Sequence, residues 1–75
     1  MAQSRLPRDI LWNRRGNPGP YVSEALGMEE WQLRQAIHKI KGRIALRGAD
    51  RVIIYRNGDV TDETGDDLGN VHDEI

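Results

Sequence analysis

A tryptophan, two basic residues and a histidine recur at spacings of three and four within residues 28–48. They are Trp31, Arg34, His38 and Lys41. Residues at this spacing share one face of a helix, so the pattern predicts an aromatic and basic stripe. An imidazole exchanges protons near neutral pH, and neighbouring cations stabilise phosphate charge, which together favour phosphodiester chemistry. Trp31 could stack on a base. The alternative interpretation is a solvated helix face.

The stripe requires a long amphipathic helix to position it. Residues 28–48 also carry a second, apolar stripe of helical period, made of Leu33, Ala36, Ile37, Ile40 and Ile44. Acidic residues open the segment and basic residues close it, as the helix dipole favours. Gly48 is the expected stop, although Gly42 weakens the interior and makes an end at Lys41 an alternative.

Composition limits the chain to one small domain. Its 75 residues contain no cysteine, which excludes disulfides and cysteine-based zinc sites. The acidic residues do not follow the spacing of a calcium loop, and His72, Asp73 and Glu74 are adjacent in sequence, so we predict neither a metal site nor a cofactor. No apolar run approaches the roughly 20 residues that span a bilayer, so we expect no membrane partner and a cytoplasmic location.

The small net charge conceals two segments of opposite charge. Residues 1–51 carry ten Lys or Arg and five Asp or Glu, whereas residues 52–75 carry one Arg and seven acids. This division predicts that the basic part meets an anion such as RNA or DNA. The two parts could instead simply attract each other within the fold.

Residues 1–20 contain all three prolines and two glycines, which predicts an extended or looped arm. Residues 9–12 are apolar enough to dock on the core as a short strand or turn, and a basic loop follows. Arg14 and Arg15 in that loop could form a phosphate clamp, because a guanidinium matches the geometry of phosphate oxygens. The alternative is a tethered surface segment.

Residues 21–26 predict a short helix that ends at Gly27. Together with the long helix, this segment is similar to a DNA-binding helix-turn-helix in its spacing. The second helix of that motif would begin with Glu29 and Glu30, whose charge the DNA backbone would repel. Sequence-specific DNA binding is therefore the second functional interpretation.

The chain after residue 50 predicts three strands. Residues 51–56 are rich in β-branched side chains and predict the first strand. Asn57-Gly58 predicts a two-residue type I′ turn, after which residues 59–62 form the returning strand. Residues 68–73 supply a third short strand. Residues 52–55 should form the central strand. We therefore predict an α+β domain over 21–75, with a short helix and one long amphipathic helix packed on a three-stranded antiparallel meander, preceded by the arm at 1–20.

Several short segments of the chain resemble the C-terminal domains of bacterial polymorphic toxins. The segments are YVSEALG at 21–27, AIHKIK at 36–41, LRGADRV at 46–52 and NGDV at 57–60, with TG at 64–65 and LGN at 68–70. These domains are the variable tips of Rhs and contact-dependent inhibition proteins, and several are grouped with small α+β ribonucleases of the barnase and colicin kind.

The resemblance implies a metal-independent endoribonuclease, with an immunity protein as a partner. Its match at residues 37–41 singles out His38 and Lys41 as catalytic. The residue patterns described above add the nucleic-acid contacts Arg14, Arg15, Trp31, Arg34 and Lys41. The chain begins with methionine and has no delivery module, so a stand-alone relative or an inactive relic is expected. A non-catalytic protein-interaction module is the third functional interpretation.

Overall fold

The computed structural model describes residues 6–43 and 51–74, which form two helices and a four-stranded antiparallel sheet. The strands are β1 (Ile10–Arg15), β2 (Arg51–Tyr55), β3 (Asp59–Thr61) and β4 (Asp67–Asn70), in the spatial order β1-β2-β3-β4. The helices are α1 (Pro20–Leu26) and α2 (Glu30–Arg43). Short 3₁₀ turns lie at Pro7–Asp9 and Val71–Glu74. The α+β class is confirmed.

The prediction of three strands is wrong, because part of the N-terminal arm belongs to the sheet. Residues 10–15 pair antiparallel with β2, in a register that places Trp12 opposite Ile54 and Arg14 opposite Val52. Asp9 also accepts a backbone hydrogen bond from Arg56 at 2.7 Å. The segment predicted as a basic loop therefore continues a strand through Arg15. Because β1 completes one side of β2, β2 is an interior strand, as predicted.

Gly27 ends α1 as predicted, in a left-handed conformation with φ 70° and ψ 31°. Glycine adopts this conformation without the steric cost that a Cβ brings. The N–H of Met28 donates to the carbonyl of Ser23 at 2.9 Å, and the chain turns directly into α2. The start of α2 is fixed by Glu29, whose backbone N–H donates to the side-chain oxygen of Gln32 at 3.1 Å.

The long helix begins at Glu30, two residues after the predicted start at Met28, and is described through Arg43. The predicted positions Ile44 and Gly48 lie outside the described residues. The rest of the apolar stripe is buried as expected, at Leu33, Ala36, Ile37 and Ile40. These side chains meet Val52, Ile54, Val60 and Val71 in one core, with Trp12, Leu11 and Leu68 packed at its margin.

The β2–β3 turn differs from the predicted two-residue form. The N–H of Gly58 donates to the carbonyl of Tyr55 at 2.9 Å, so residues 56–58 form a three-residue loop. Gly58 has φ +94°, and a Cβ there would lie 2.6 Å from Cδ2 of His72. The third predicted strand also ends early, because residues 71–74 form a 3₁₀ turn that packs against α2.

Candidate nucleic-acid site on helix α2

The exposed face of α2 and the loop before α1 form one open groove, which we call the α2 groove. It holds about 520 Å³ and is lined by Asn17, Arg34, Gln35, His38 and Lys39. All five residues are exposed. The groove therefore offers two cations, an imidazole and two amides to a polar ligand, which suits an anion that keeps part of its hydration.

Helical period explains how α2 supplies four of these residues. Positions 34, 35, 38 and 39 are related by steps of one, three and four, which place them on the side opposite the buried stripe. Asn17 comes from the loop between β1 and α1, where neighbouring Pro18 is fully buried and fixes the loop against the core. Gln35 and Lys39 could have been found from the spacing, whereas the position of Asn17 depends on tertiary structure.

Two side chains of the groove have partners elsewhere in the protein. Nη2 of Arg34 lies 2.7 Å from Oε2 of Glu30, one turn earlier on the helix, and both groups remain partly exposed. Nζ of Lys39 donates to the backbone carbonyl of Glu74 at 3.3 Å. The ion pair reduces the charge that Arg34 can offer to an anion, and the second contact connects Lys39 to the C-terminal 3₁₀ turn.

Lys41 does not belong to the exposed stripe, and its predicted place beside His38 is a correction. Its residue is only 5% exposed, and it lies with the buried positions of α2. At about 100° per residue, Lys41 lies about 40° from Ile37 and about 60° from His38 around the helix. It therefore belongs to the margin of the apolar face and does not line the α2 groove.

Trp31, Arg14 and Arg15 do not line the α2 groove either. Trp31 is 57% exposed, one turn before the groove. The guanidinium of Arg14 lies 5.8 Å from the ring centroid of Trp12, a cation–π contact on β1. Arg15 is exposed and lies opposite Arg51 in the sheet. The predicted RNA contacts therefore separate: Arg34 and His38 share a groove, and the two arginines of β1 belong to another surface.

The second histidine, His72, lies on the C-terminal 3₁₀ turn and does not line the α2 groove. Its backbone N–H donates to Oδ1 of Asn70 at 2.9 Å, and Nδ2 of Asn70 donates to Oδ1 of Asp59 at 2.9 Å. This network ties the end of β4 to the β2–β3 loop. Across 6–43 and 51–74 no three metal-binding side chains are grouped closely enough to hold an ion.

No family model matches the chain, and neither the curated proteins nor the solved structures searched contain a match. The groove and the chemistry of its side chains are therefore the features that indicate a function. Neither helix in the described parts of the chain is long and apolar enough to cross a lipid bilayer.

Proposed function

We propose that this chain is a small RNA-acting domain of the ribonuclease-toxin type, in which the α2 groove binds the sugar-phosphate backbone. The observation that supports the proposal is the meeting of Arg34, His38 and Lys39 in one solvent-open groove. Two cations beside an imidazole are the groups that phosphodiester cleavage needs.

The chemistry assigned to the groove is metal-independent transesterification. His38 takes the proton from the 2′-hydroxyl, whose oxygen attacks phosphorus, while Arg34 and Lys39 stabilise the charge that develops on the phosphate. The groove contains one imidazole, so the departing 5′-oxygen receives its proton from the Lys39 ammonium or from water. Trp31, exposed one turn away, is placed to stack on a neighbouring base. Lys41, which is buried, has no part in this mechanism.

Replacing His38 by alanine tests the catalytic part of the proposal. We expect His38→Ala to slow cleavage of single-stranded RNA by about 10²–10⁴-fold, the usual contribution of a general base, without changing the unfolding temperature. His72→Ala is the matched control, because His72 is equally exposed but lies outside the groove. Equal activity of both variants, or absence of cleavage by the wild type in the presence of EDTA, would remove the assignment as a metal-independent ribonuclease.

Binding of duplex DNA is the second candidate function. It is favoured by the left-handed turn at Gly27, which joins α1 and α2 as in a helix-turn-helix. Against it, the exposed Glu29 and the partly exposed Glu30 stand where that motif approaches DNA. A preference for one duplex sequence over single-stranded RNA at the same low salt would favour the DNA reader over the ribonuclease.

A further inference from the structure

We propose that a second groove, along the edge of β1 that pairs with none of the other described strands, binds an acidic, extended peptide of another protein as an added β-strand. This edge groove holds about 510 Å³ and is lined by residues 10–14 of β1 and 19–22 at the start of α1. It is separate from the α2 groove, so the proposal does not depend on RNA binding.

The lining of the edge groove shows that it follows the edge of the strand. Successive side chains of a strand point to opposite faces of the sheet, yet five consecutive residues of β1 line the groove. β1 is also the terminal strand in the order of the four described strands. Alternate backbone N–H and C=O groups of such a strand turn away from its neighbour, which is the template for strand addition.

Charge and aromatic side chains indicate what the added strand contains. Arg14 and Arg15 are exposed on β1, and Arg51 is exposed opposite Arg15. This end of the sheet therefore carries three cations, which complement carboxylates on a partner. Tyr21, 71% exposed, lies at the opposite wall of the groove beside buried Val22, where apolar residues of a peptide would pack. A peptide strand that alternates acidic and β-branched residues matches both the cations and the apolar wall of the groove.

A second copy of the chain is a poorer occupant than a foreign strand. Pairing β1 antiparallel with itself places Arg15 opposite Ile10 and Arg14 opposite Leu11, so the arginines meet no carboxylate of the second copy. The acidic end of the sheet, β4, has only four residues, against six in β1, and contains Gly69 at φ 137°. A short strand with a glycine in its interior is a weak template for a continuous ladder. We therefore assign the edge groove to a different protein.

Selection from a displayed library of random peptides of about ten residues, long enough to span β1, tests this assignment. We expect the selected peptides to combine Asp or Glu with alternating Val or Ile. A synthetic peptide of the consensus sequence should shift the backbone amide signals of residues 10–15 and 19–22 in the wild-type protein. Amides of β1 should also become protected from hydrogen exchange.

Two charge-reversal variants with the same change in net charge provide the comparison. Arg14→Glu with Arg15→Glu should weaken binding of the consensus peptide at least about tenfold, whereas Arg34→Glu with Lys39→Glu should leave it within about twofold. Thermal unfolding checks that both variants fold. The proposal would be overturned if the library yields no peptide or only peptides without acidic residues, or if the two variants weaken binding equally. It would also be overturned if RNA displaces the peptide or if the free protein dimerises.

Discussion

Arg34 shares its charge with Glu30, and this pair limits how strongly the α2 groove attracts an anion. Removing the carboxylate by Glu30→Gln frees the guanidinium, which lies 2.7 Å away. Exposed pairs of this kind contribute about 0.2–1 kcal/mol, so we expect the dissociation constant for single-stranded RNA to fall about two- to threefold. Fluorescence anisotropy at low salt measures this change.

The control for that variant is Glu24→Gln, an exposed acid on α1 that changes the net charge equally. It should alter RNA affinity less than Glu30→Gln, because Glu24 is not paired with a residue of the groove. An equal gain in both variants would mean that overall charge alone governs binding.

Asp62 organises the loop between β3 and β4, and it predicts a pH dependence. Hydrogen bonds from the Thr64 hydroxyl and from backbone N–H groups of Thr64 and Asp66 hold the pKa of its carboxyl below the ordinary 3.8. A lowered pKa in the folded state stabilises the fold above the ordinary value, and this contribution disappears as pH falls through the lowered pKa. NMR titration should therefore place the Asp62 midpoint below 3.8.

Thr64→Val provides the matched test, because it removes the hydroxyl that contributes most to the lowered pKa and keeps the size of the side chain. The Asp62 midpoint should move up towards its ordinary value in this variant. A midpoint that does not change would show that the backbone donors alone set the pKa of the carboxyl.

Sequence periodicity predicted that His38 is exposed, but it did not predict that Lys41 is buried. Both belong to the same set of three- and four-residue spacings, but Lys41 lies on the side of the set nearer Ile37. Whether such a marginal position is covered depends on which elements pack there. The pattern within one helix contains no information about those elements.

At the scale of elements, α1 and α2 were predictable because caps and apolar spacing signal them locally. The strand β1 was predicted only in part, as a short strand or turn at residues 9–12, because Asn13, Arg14 and Arg15 carry no apolar alternation and prolines lie on both sides. Its pairing is a long-range contact with β2, and an edge strand buries less of its surface than an interior strand does. Polar sequence therefore does not exclude such a strand.

Gly58 holds the β2–β3 loop against the C-terminal 3₁₀ turn, which predicts a large cost for any side chain there. Gly58→Ala combines a positive φ with a Cβ 2.6 Å from His72, so we expect a loss of about 2–3 kcal/mol in the free energy of unfolding. Gly65→Ala is the control, with φ +92° and no atom within 4 Å of its Cβ.

Gly65→Ala should cost about 1 kcal/mol, the conformational term alone. Urea denaturation followed by tryptophan fluorescence measures both values. Similar losses of unfolding free energy in the two variants would show that the 3₁₀ turn moves away from the added Cβ at no measurable energetic cost.

At the scale of the whole molecule, the basic and acidic segments of the sequence lie on different elements of the fold. The acids of residues 59–74 lie on β3, on β4, in the loop between them and on the C-terminal 3₁₀ turn, whereas most of the described basic residues of the first segment lie on β1 or α2. The sequence predicted one basic surface. Arg14 lies on β1, whereas Arg34 and Lys39 lie on α2. The fold therefore places these cations in two grooves, and we assign RNA to the α2 groove and a peptide to the edge groove.

The most direct test of the RNA assignment is a titration of the isotopically labelled protein with single-stranded RNA at low salt, followed by backbone amide chemical shifts. We expect the largest shifts at Asn17, Arg34, Gln35, His38 and Lys39, and their loss in the Arg34→Glu, Lys39→Glu variant. Largest shifts along β1, or no shifts at RNA concentrations up to about 1 mM, which corresponds to a binding free energy of about −4 kcal/mol, would contradict an RNA site on α2.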